Sequence, residues 1–389
     1  MKRWLICVSV LAVVLILVVA GCSPAPEEPA PVTPTPAPEE PTPAPEEPAQ
    51  PEEIYLQFYS PAPVRSGAYK AIVAMGEMLN EKRPGITAAW KSYAVPQSFN
   101  DAVGGIDSMD PELKKNSFAW SMASFDFSMA RDGAGPADHN YVNKHPGLMW
   151  IGTVESQAWG LVTYDPDIKT FKDLAGKTIG GTAPGGSPPT VLNAILKAAG
   201  VLDQVTYKGG GPPDFGKWMQ SGEIDALNYG QAVEDEDGVW HTPPMPMGMI
   251  LGRQTYWVEL TQETIDKVNA DPTVGFDISS VTIPEGAIFL PPSPLHDPEN
   301  PTVNPPMDAT VLKWNNALTA WDTTDEELVY DLLKFFAVDN VEEWSEAMGS
   351  LQSPELLAGR GYQGLTEDMI HPGALRFYQE QGVEINLEQ

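Results

Sequence analysis

Cysteine is nearly absent from this chain: Cys7 and Cys22 are the only two in 389 residues. Everything after Cys22 is therefore without a disulfide, a thiolate metal site or a cysteine nucleophile. Histidine is sparse as well. His139, His145, His241, His296 and His371 are scattered, with no His-Glu-x-x-His run and no pair at i, i+4. No metal and no other cofactor is expected. The Gly-x-Ser-x-Gly elbow of a serine hydrolase is missing too, and the chain reads as a non-enzyme. Basic residues are few: 23 Lys and Arg against 53 Asp and Glu give a formal charge of −30. Binding a phosphate backbone takes clustered positive charge, so nucleic acid is excluded as a partner. The acidic run Glu234-Asp235-Glu236-Asp237-Gly238 misses the EF-hand spacing and reads as a solvated loop.

What is present begins with an address. Lys2 and Arg3 precede an apolar stretch from Trp4 to Ala20, short for a membrane span of ~20 apolar residues. It ends in Val19-Ala20-Gly21-Cys22, which resembles the bacterial lipobox. The resemblance implies a signal peptide over 1–21, cleavage before Cys22, and acylation of that thiol. Two or three acyl chains hold a protein firmly to a bilayer. The expected location is extracytoplasmic, lipid-anchored to the cell membrane.

Residues 22–53 follow as a stalk. Pro-Ala-Pro-Glu-Glu-Pro starts at Pro24, Pro36 and Pro43, and no aromatic or basic residue interrupts it. Nothing in such a segment can build a core. Proline favours an extended polyproline path of ~3.1 Å per residue, and the glutamates repel one another.

From Ile54 the composition turns globular, and its length suits two lobes better than one. Ile54–Tyr59 reads as a first strand, followed by a helix through Tyr69, Ile72, Val73, Gly76 and Leu79 that ends before Pro84. The clearest stretch is Phe171–Tyr229. Thr178–Thr182 is a strand, Ala183–Gly186 a tight turn, and Ser187 an N-cap with Pro188 at the first helical position. Gly200 ends that helix, Val205–Lys208 is the next strand, a helix near Phe215–Gln220 stops at Gly222, and Ile224–Tyr229 is a third strand. Strand–helix–strand–helix–strand means a largely parallel sheet covered by helices. Capping boxes are expected at Thr324/Glu327 and Asn340/Glu343, and His371-Pro372-Gly373 opens a terminal helix.

Phe171-Lys172-Asp173-Leu174-Ala175-Gly176-Lys177, the Ala183–Ser187 turn, Gly222-Glu223-Ile224-Asp225-Ala226 and the run Ile370–Tyr378 together resemble TAXI-family solute receptors of TRAP transporters. The resemblance covers Ile54 to about Val383. It implies an α/β, two-lobed type 2 periplasmic-binding-protein fold with a ligand cleft between the lobes. Lobe 1 would comprise 54–155 and 312–389, and lobe 2 would comprise 156–311. It further implies a small-molecule solute, delivered to TRAP permease membrane subunits. A sensor domain reporting solute to a membrane signalling partner is the alternative. The first loop departs from the family pattern, since only Gly67 and Tyr69 match it, and Pro291–Pro306 has no counterpart.

Candidate ligand-binding residues follow from position. Ser60, Arg65, Ser66 and Tyr69 belong to the loop after the first strand and the helix it leads into, where open α/β sheets bind ligands. Gly185, Gly186 and Ser187 form the turn into a helix whose free amides suit a carboxylate, and Arg65 could pair with the same anion. Gln97, Ser98, Trp120, Ser121, Trp159, Asn228 and Tyr229 complete the set, each near an expected strand end or the crossover between lobes. The expected solute is a small carboxylate or amino acid, although the abundance of tryptophan and acidic residues leaves an amine open.

The anchor yields the first prediction. Cys22→Ser should abolish acylation and release the protein from the membrane fraction. A variant that stays as tightly bound and is processed normally would remove the lipoprotein reading.

Overall fold

The computed structural model describes residues 53–60, 67–92, 99–121, 124–133, 144–184, 186–235, 239–242, 253–289 and 303–387. The expected signal peptide, Cys22 and the stalk up to residue 52 lie outside them, as does most of Pro291–Pro306. The folded part opens with β1 (Ile54–Ser60), α1 (Gly67–Lys82), β2 (Ile86–Ser92), α2 (Phe99–Asp107), α3 (Pro111–Lys114), β3 (Ser117–Ser121) and α4 (Ser124–Asp132). The long β4 (Leu148–Thr163) leads to β5 (Thr178–Thr182), α5 (Ser187–Ala199), β6 (Thr206–Gly210), α6 (Pro212–Ser221) and β7 (Ala226–Glu234). Short strands β8 (Trp240–His241), β9 (Tyr256–Trp257), β10 (Ser280–Ile283) and β11 (Ile288–Phe289) precede β12 (Ala309–Trp321). Helices dominate the rest, among them Glu326–Lys334, Val341–Met348, Pro354–Gly359 and Pro372–Gln381.

The class is the α/β fold expected. Strands β1, β2 and β3 are parallel, as are β5, β6 and β7, so the chain holds two parallel sub-sheets. Antiparallel strands β4 and β12 join them, paired from Trp159↔Leu312 to Leu148↔Trp321 with two register shifts. At about 3.3 Å per residue, β4 is ~50 Å long. It can be that long because it is almost uncharged and buried along most of its length, with Glu155 its single ionisable residue.

Each sub-sheet has its own apolar core. One cluster joins β1, β3 and the start of β4 to the helices of the C-terminal region, including Leu56, Phe58, Trp150, Trp321, Leu332 and Phe377. Two others surround β5–β7, one on α5 (Leu161, Ile179, Val191, Ile195) and one on α6 (Phe215, Met219, Trp240, Trp257). Helix α4 straddles the division. Phe127 and Ala130 belong to the first core, Phe125 and Met129 to the second.

Several expected details shift. Gly186, not Ser187, is the N-cap of α5, and Ser187 is the first helical residue, its hydroxyl turned elsewhere. Asp325 caps the helix Glu326–Lys334 by accepting from Leu328 N at 3.0 Å, while Thr324 Oγ1 accepts from Trp321 N. Asn340 precedes the helix Val341–Met348 without a side-chain cap, its amide donating to Phe335 O instead. Strand β7 runs to Glu234, five residues past its expected end, because it pairs with β4 as far as Gln157↔Val233.

The terminal His-Pro-Gly run has a physical explanation. His371 Nδ1 accepts from Gly373 N and its Nε2 bonds Thr324 O at 3.2 Å, so the ring caps one helix and ties it to the chain just before the helix Glu326–Lys334. Gly373 is required because a Cβ there would meet Glu326 O at 2.2 Å. Farther along, Tyr378 Oη donates to Ile151 O, docking the helix on β4.

Burial holds the His371 pKa below its ordinary value, against the carbonyls of Thr324 and Trp321 that favour a charged ring. Its contribution to stability is therefore complete above the ordinary histidine pKa of about 6.5 and declines as pH falls below that. His371→Ala should cost ~0.5–2 kcal/mol at pH 8. His371→Asn, which keeps an acceptor for the cap, should cost less, and its deficit should shrink as pH falls from 7 to 5. Urea titrations of the three proteins across that range test this, and a deficit independent of pH would refute it.

Candidate functional site

The parallel strands of both halves end toward the middle of the molecule, along the central turns of β4 and β12. Ser121 at the end of β3 lies opposite Ala317, and Trp159 on β4 lies opposite Gln231 of β7. In open α/β sheets the carboxyl ends of strands are where ligands bind.

A connected set of side chains occupies this region. Trp159 Nε1 donates to Asn228 Oδ1 at 3.2 Å, and Asn228 Nδ2 donates to Pro188 O at 3.0 Å in the first turn of α5. Trp159 stacks on Trp314 with centroids 4.7 Å apart and meets the edge of Tyr229 at 5.0 Å. Trp314 Nε1 donates to Asn316 Oδ1, and Asn316 Nδ2 donates to Glu155 Oε2. Phe125 of α4 meets Trp314 at 5.5 Å. The next residue, Asp126, is fully buried and its Oδ2 accepts from Ser187 Oγ at 2.6 Å. Helices α4 and α5 therefore begin side by side, one from each end of the crossover.

The turn before α5 is held from below. Tyr207 Oη donates to Thr182 O at 2.8 Å, and burial pushes its phenol well above the ordinary range. That contact requires glycine at 181, since a Cβ there would come within 2.3 Å of the same oxygen.

The expected residues fall into three groups. Ser121, Trp159, Ser187, Asn228 and Tyr229 lie in or next to this region, and Gly186 leads into it. Ser121 shares its hydroxyl with Tyr362 Oη, and Ala317 N donates to it. Ser60 is buried at the end of β1 beside Ser92, and Tyr69 is half-buried in α1 against the first core. Trp120 is buried in the first core, its indole N–H without a partner among the described residues. Arg65, Ser66, Gln97, Ser98 and Gly185 lie outside the described residues. Trp159 and Trp314 are 3% and 1% exposed, so their faces cover each other and neighbouring side chains.

Sequence reasoning missed Asp126, Glu155, Trp314, Asn316 and Tyr362. One signal was available: Glu155 is the lone charge in a 16-residue strand. It keeps part of its surface open, yet it lies deep enough that burial raises its pKa, against the Asn316 amide and the charge of Arg360. Burial likewise pushes Tyr229 up to about 12, with Glu155 adding to the effect and a bond to Gln231 opposing it. Arg360 bonds Thr153 O, Val154 O, Leu351 O and Gln352 Oε1. Burial lowers its pKa to about 10 despite Glu155. A groove of about 370 Å³, lined in part by Arg360, Lys313, Ser156 and Ser280, opens beside it.

These features define an α/β protein whose two sub-sheets converge on one polar and aromatic cluster. A family model described as NMT1/THI5 like matches residues 147–239, from the start of β4 past β7. No curated protein sequence matches the chain. Among solved structures, the chain is similar to the periplasmic aliphatic sulphonate binding protein SsuA from Escherichia coli, at 15% identity and a TM-score of 0.36, covering 84% of this chain and 83% of that one. It is similar to a TRAP periplasmic solute binding protein from Sulfitobacter sp. with bound β-D-galacturonate, at 12% identity and a TM-score of 0.35, covering 85% and 88%. It is also similar to the periplasmic binding protein BugD, at 13% identity and a TM-score of 0.43, covering 85% and 99%. The three are named as binding proteins, not as enzymes.

Glu155 supplies a prediction. Its raised pKa means that the ionised carboxylate destabilises the fold at pH 7, a burden that disappears once the group is protonated. Glu155→Gln should raise stability by ~0.5–2 kcal/mol at pH 7. The gain should fade as pH is lowered toward the ordinary value of 4.5, because the wild-type group in the fold already protonates above it. A less stable variant in denaturant titration would mean that Arg360 depends on this charge more than burial opposes it.

Proposed function

We propose that this chain is an extracytoplasmic, TAXI-type solute-binding receptor that delivers a small organic solute, a carboxylate or amino acid, to TRAP permease subunits. The observation that carries this reading is the meeting of α4 and α5 at Asp126 and Ser187, next to a partly open, buried-side carboxylate on the strand that joins the two halves. A site built from both halves makes binding sensitive to how they are placed. The lobes are taken as 54–155 with 312–389, and 156–311. Solute touches both and stabilises the closed arrangement, which the permease recognises. Ser60, Arg65, Ser66, Tyr69, Gln97, Ser98, Trp120, Ser121, Trp159, Gly185, Gly186, Ser187, Asn228 and Tyr229 remain the proposed contacts, with Cys22 as the anchor. Where an aromatic is covered, contact requires the halves to part.

Two measurements test this together. A small solute should be released from natively purified protein and identified by mass spectrometry. Small-angle scattering should then give a smaller radius of gyration when solute saturates the protein than when it is removed. Unchanged scattering at proven saturation would argue for a rigid site and against lobe closure.

A further inference from the structure

We propose that the groove beside Arg360 is a second ligand site, apart from the cluster where α4 meets α5. It takes a small zwitterion, a carboxylate and a protonated nitrogen joined by a short alkyl chain. This goes beyond the receptor reading and stands or falls separately from it.

The groove opens on the opposite face of the crossover from that cluster. Residues paired across two strands point to the same side of a sheet, and neighbours along one strand point to opposite sides. Trp159 and Trp314 belong to the core on α5, whereas Ala158 and Val311 belong to the core on α6. Lys313 pairs with Ala158, and Ser156 lies two residues before Ala158, so both share the α6 face. Glu234 takes the same face of β7, two residues after Ala232, and pairs with Trp240. At about 370 Å³ the groove has the size of a small-molecule pocket.

Arg360, Lys313, Glu234 and Asp235 are the charged residues of its lining. Lys313 and Asp235 have interactions of their own, Asp235 with His241 and with Val239 N. Arg360 is held firmly in place. Asn315 Nδ2 donates to Arg360 O and Gly361 O, which ties this backbone to β12. Nη1 of the guanidinium serves Thr153 O, Val154 O and Gln352 Oε1, and Nη2 serves Leu351 O. All four acceptors are uncharged. A guanidinium has five N–H donors, so Nε and one hydrogen of Nη2 are left without an acceptor among the described residues. No described carboxylate lies within ion-pair distance of it, and Glu155 acts on it only from farther away. Burial lowers its pKa to about 10, which still leaves the group charged at neutral pH. A carboxylate is the partner such donors lack, and the bonds would be charge-assisted.

Glu234 complements this. It is exposed, and its carboxylate makes no hydrogen bond or ion pair among the described residues. Val281, Leu351 and Leu356 add apolar surface for the chain that joins the two charges of the ligand. A simple anion would gain Arg360 but meet Glu234, and a simple cation would gain Glu234 but meet Arg360. A zwitterion satisfies both.

The test is calorimetry on the full chain with three probes of one length: 5-aminopentanoate, glutarate and cadaverine. Wild type should bind 5-aminopentanoate more tightly than either of the others. Arg360→Lys keeps the charge but loses the planar fork, and should weaken that binding about 10-fold or more. Glu234→Gln, on the exposed wall, should weaken it about 5-fold. Glu234→Lys should move the ratio of the two affinities about 20-fold in favour of glutarate. Failure of 5-aminopentanoate to bind, tighter binding of glutarate or cadaverine to wild type, or affinities unmoved by the Glu234 variants each overturns the proposal. Binding that the Glu234 variants leave unmoved would belong to the region of α4 and α5, and the receptor reading would stand. Should Arg360→Lys not fold, the exposed Glu234 variants decide.

Discussion

The antiparallel pair β4–β12 is the constraint from which the rest follows. Each half of the molecule is a parallel sub-sheet that cannot pair with the other directly, and both hang from these two strands. The pair must stay in register over a length at which any slip would turn core residues to the wrong face. Local devices hold it. Gly160 and Gly230 face each other where Trp257 and Val311 pack, and a Cβ on Gly230 would come within 2.6 Å of Val162. Two register shifts sit between Asn316 and Thr319, just past the place where Asn316 meets Glu155. Such irregularities bend and twist a strand. They fall in the stretch Ala317–Thr319 that also pairs with β3 on the strand's other edge.

Much of this was legible because the signals were local. Thr178–Thr182, the Gly200 and Gly222 stops and the terminal His-Pro-Gly helix depend on residues within a turn of one another. Glycine at φ 78° and 72° does what glycine must do at a helix end. The miss at the start of α5 has the opposite property. Ser187 reads as an N-cap, since serine before proline is a strong local signal. It is instead recruited by Asp126, 61 residues earlier, and Gly186 takes the cap. Tertiary partners outbid local ones wherever a buried polar group needs satisfying, since leaving one unpaired costs more than losing a cap.

The same logic explains why the site was only half visible. Trp159, Asn228, Tyr229 and Ser187 lie at strand ends or turns, which sequence marks well. Their partners Trp314, Asn316 and Asp126 come from segments far away in the chain and carry no local motif. Glu155 is the instructive case. A carboxylate in the middle of an apolar strand costs stability unless it is paired, and its nearest charge, Arg360, is occupied with carbonyls across the strand. Groups whose environment opposes their charge are found disproportionately where binding or chemistry needs that charge.

Helix α4 then sets the terms on which the two halves can move. Phe127 and Ala130 hold it to the first core, while Phe125 and Met129 hold it to the second. Any parting of the halves at this point must strip one pair or the other from its core. Exposing Phe125 and Met129 would cost ~1.5–3 kcal/mol for each side chain, and Asp126 would lose the Ser187 hydroxyl at the same time. A hinge confined to β4 and β12 would therefore be opposed by several kcal/mol before any solute is involved. The less costly motion carries α4 along with the second half and slides it against the first, where Phe127 meets the edge of Tyr362 at 5.7 Å. In such a motion Asp126 and Ser187 travel together, and the hydrogen bond between them is the same in the open and the closed arrangement.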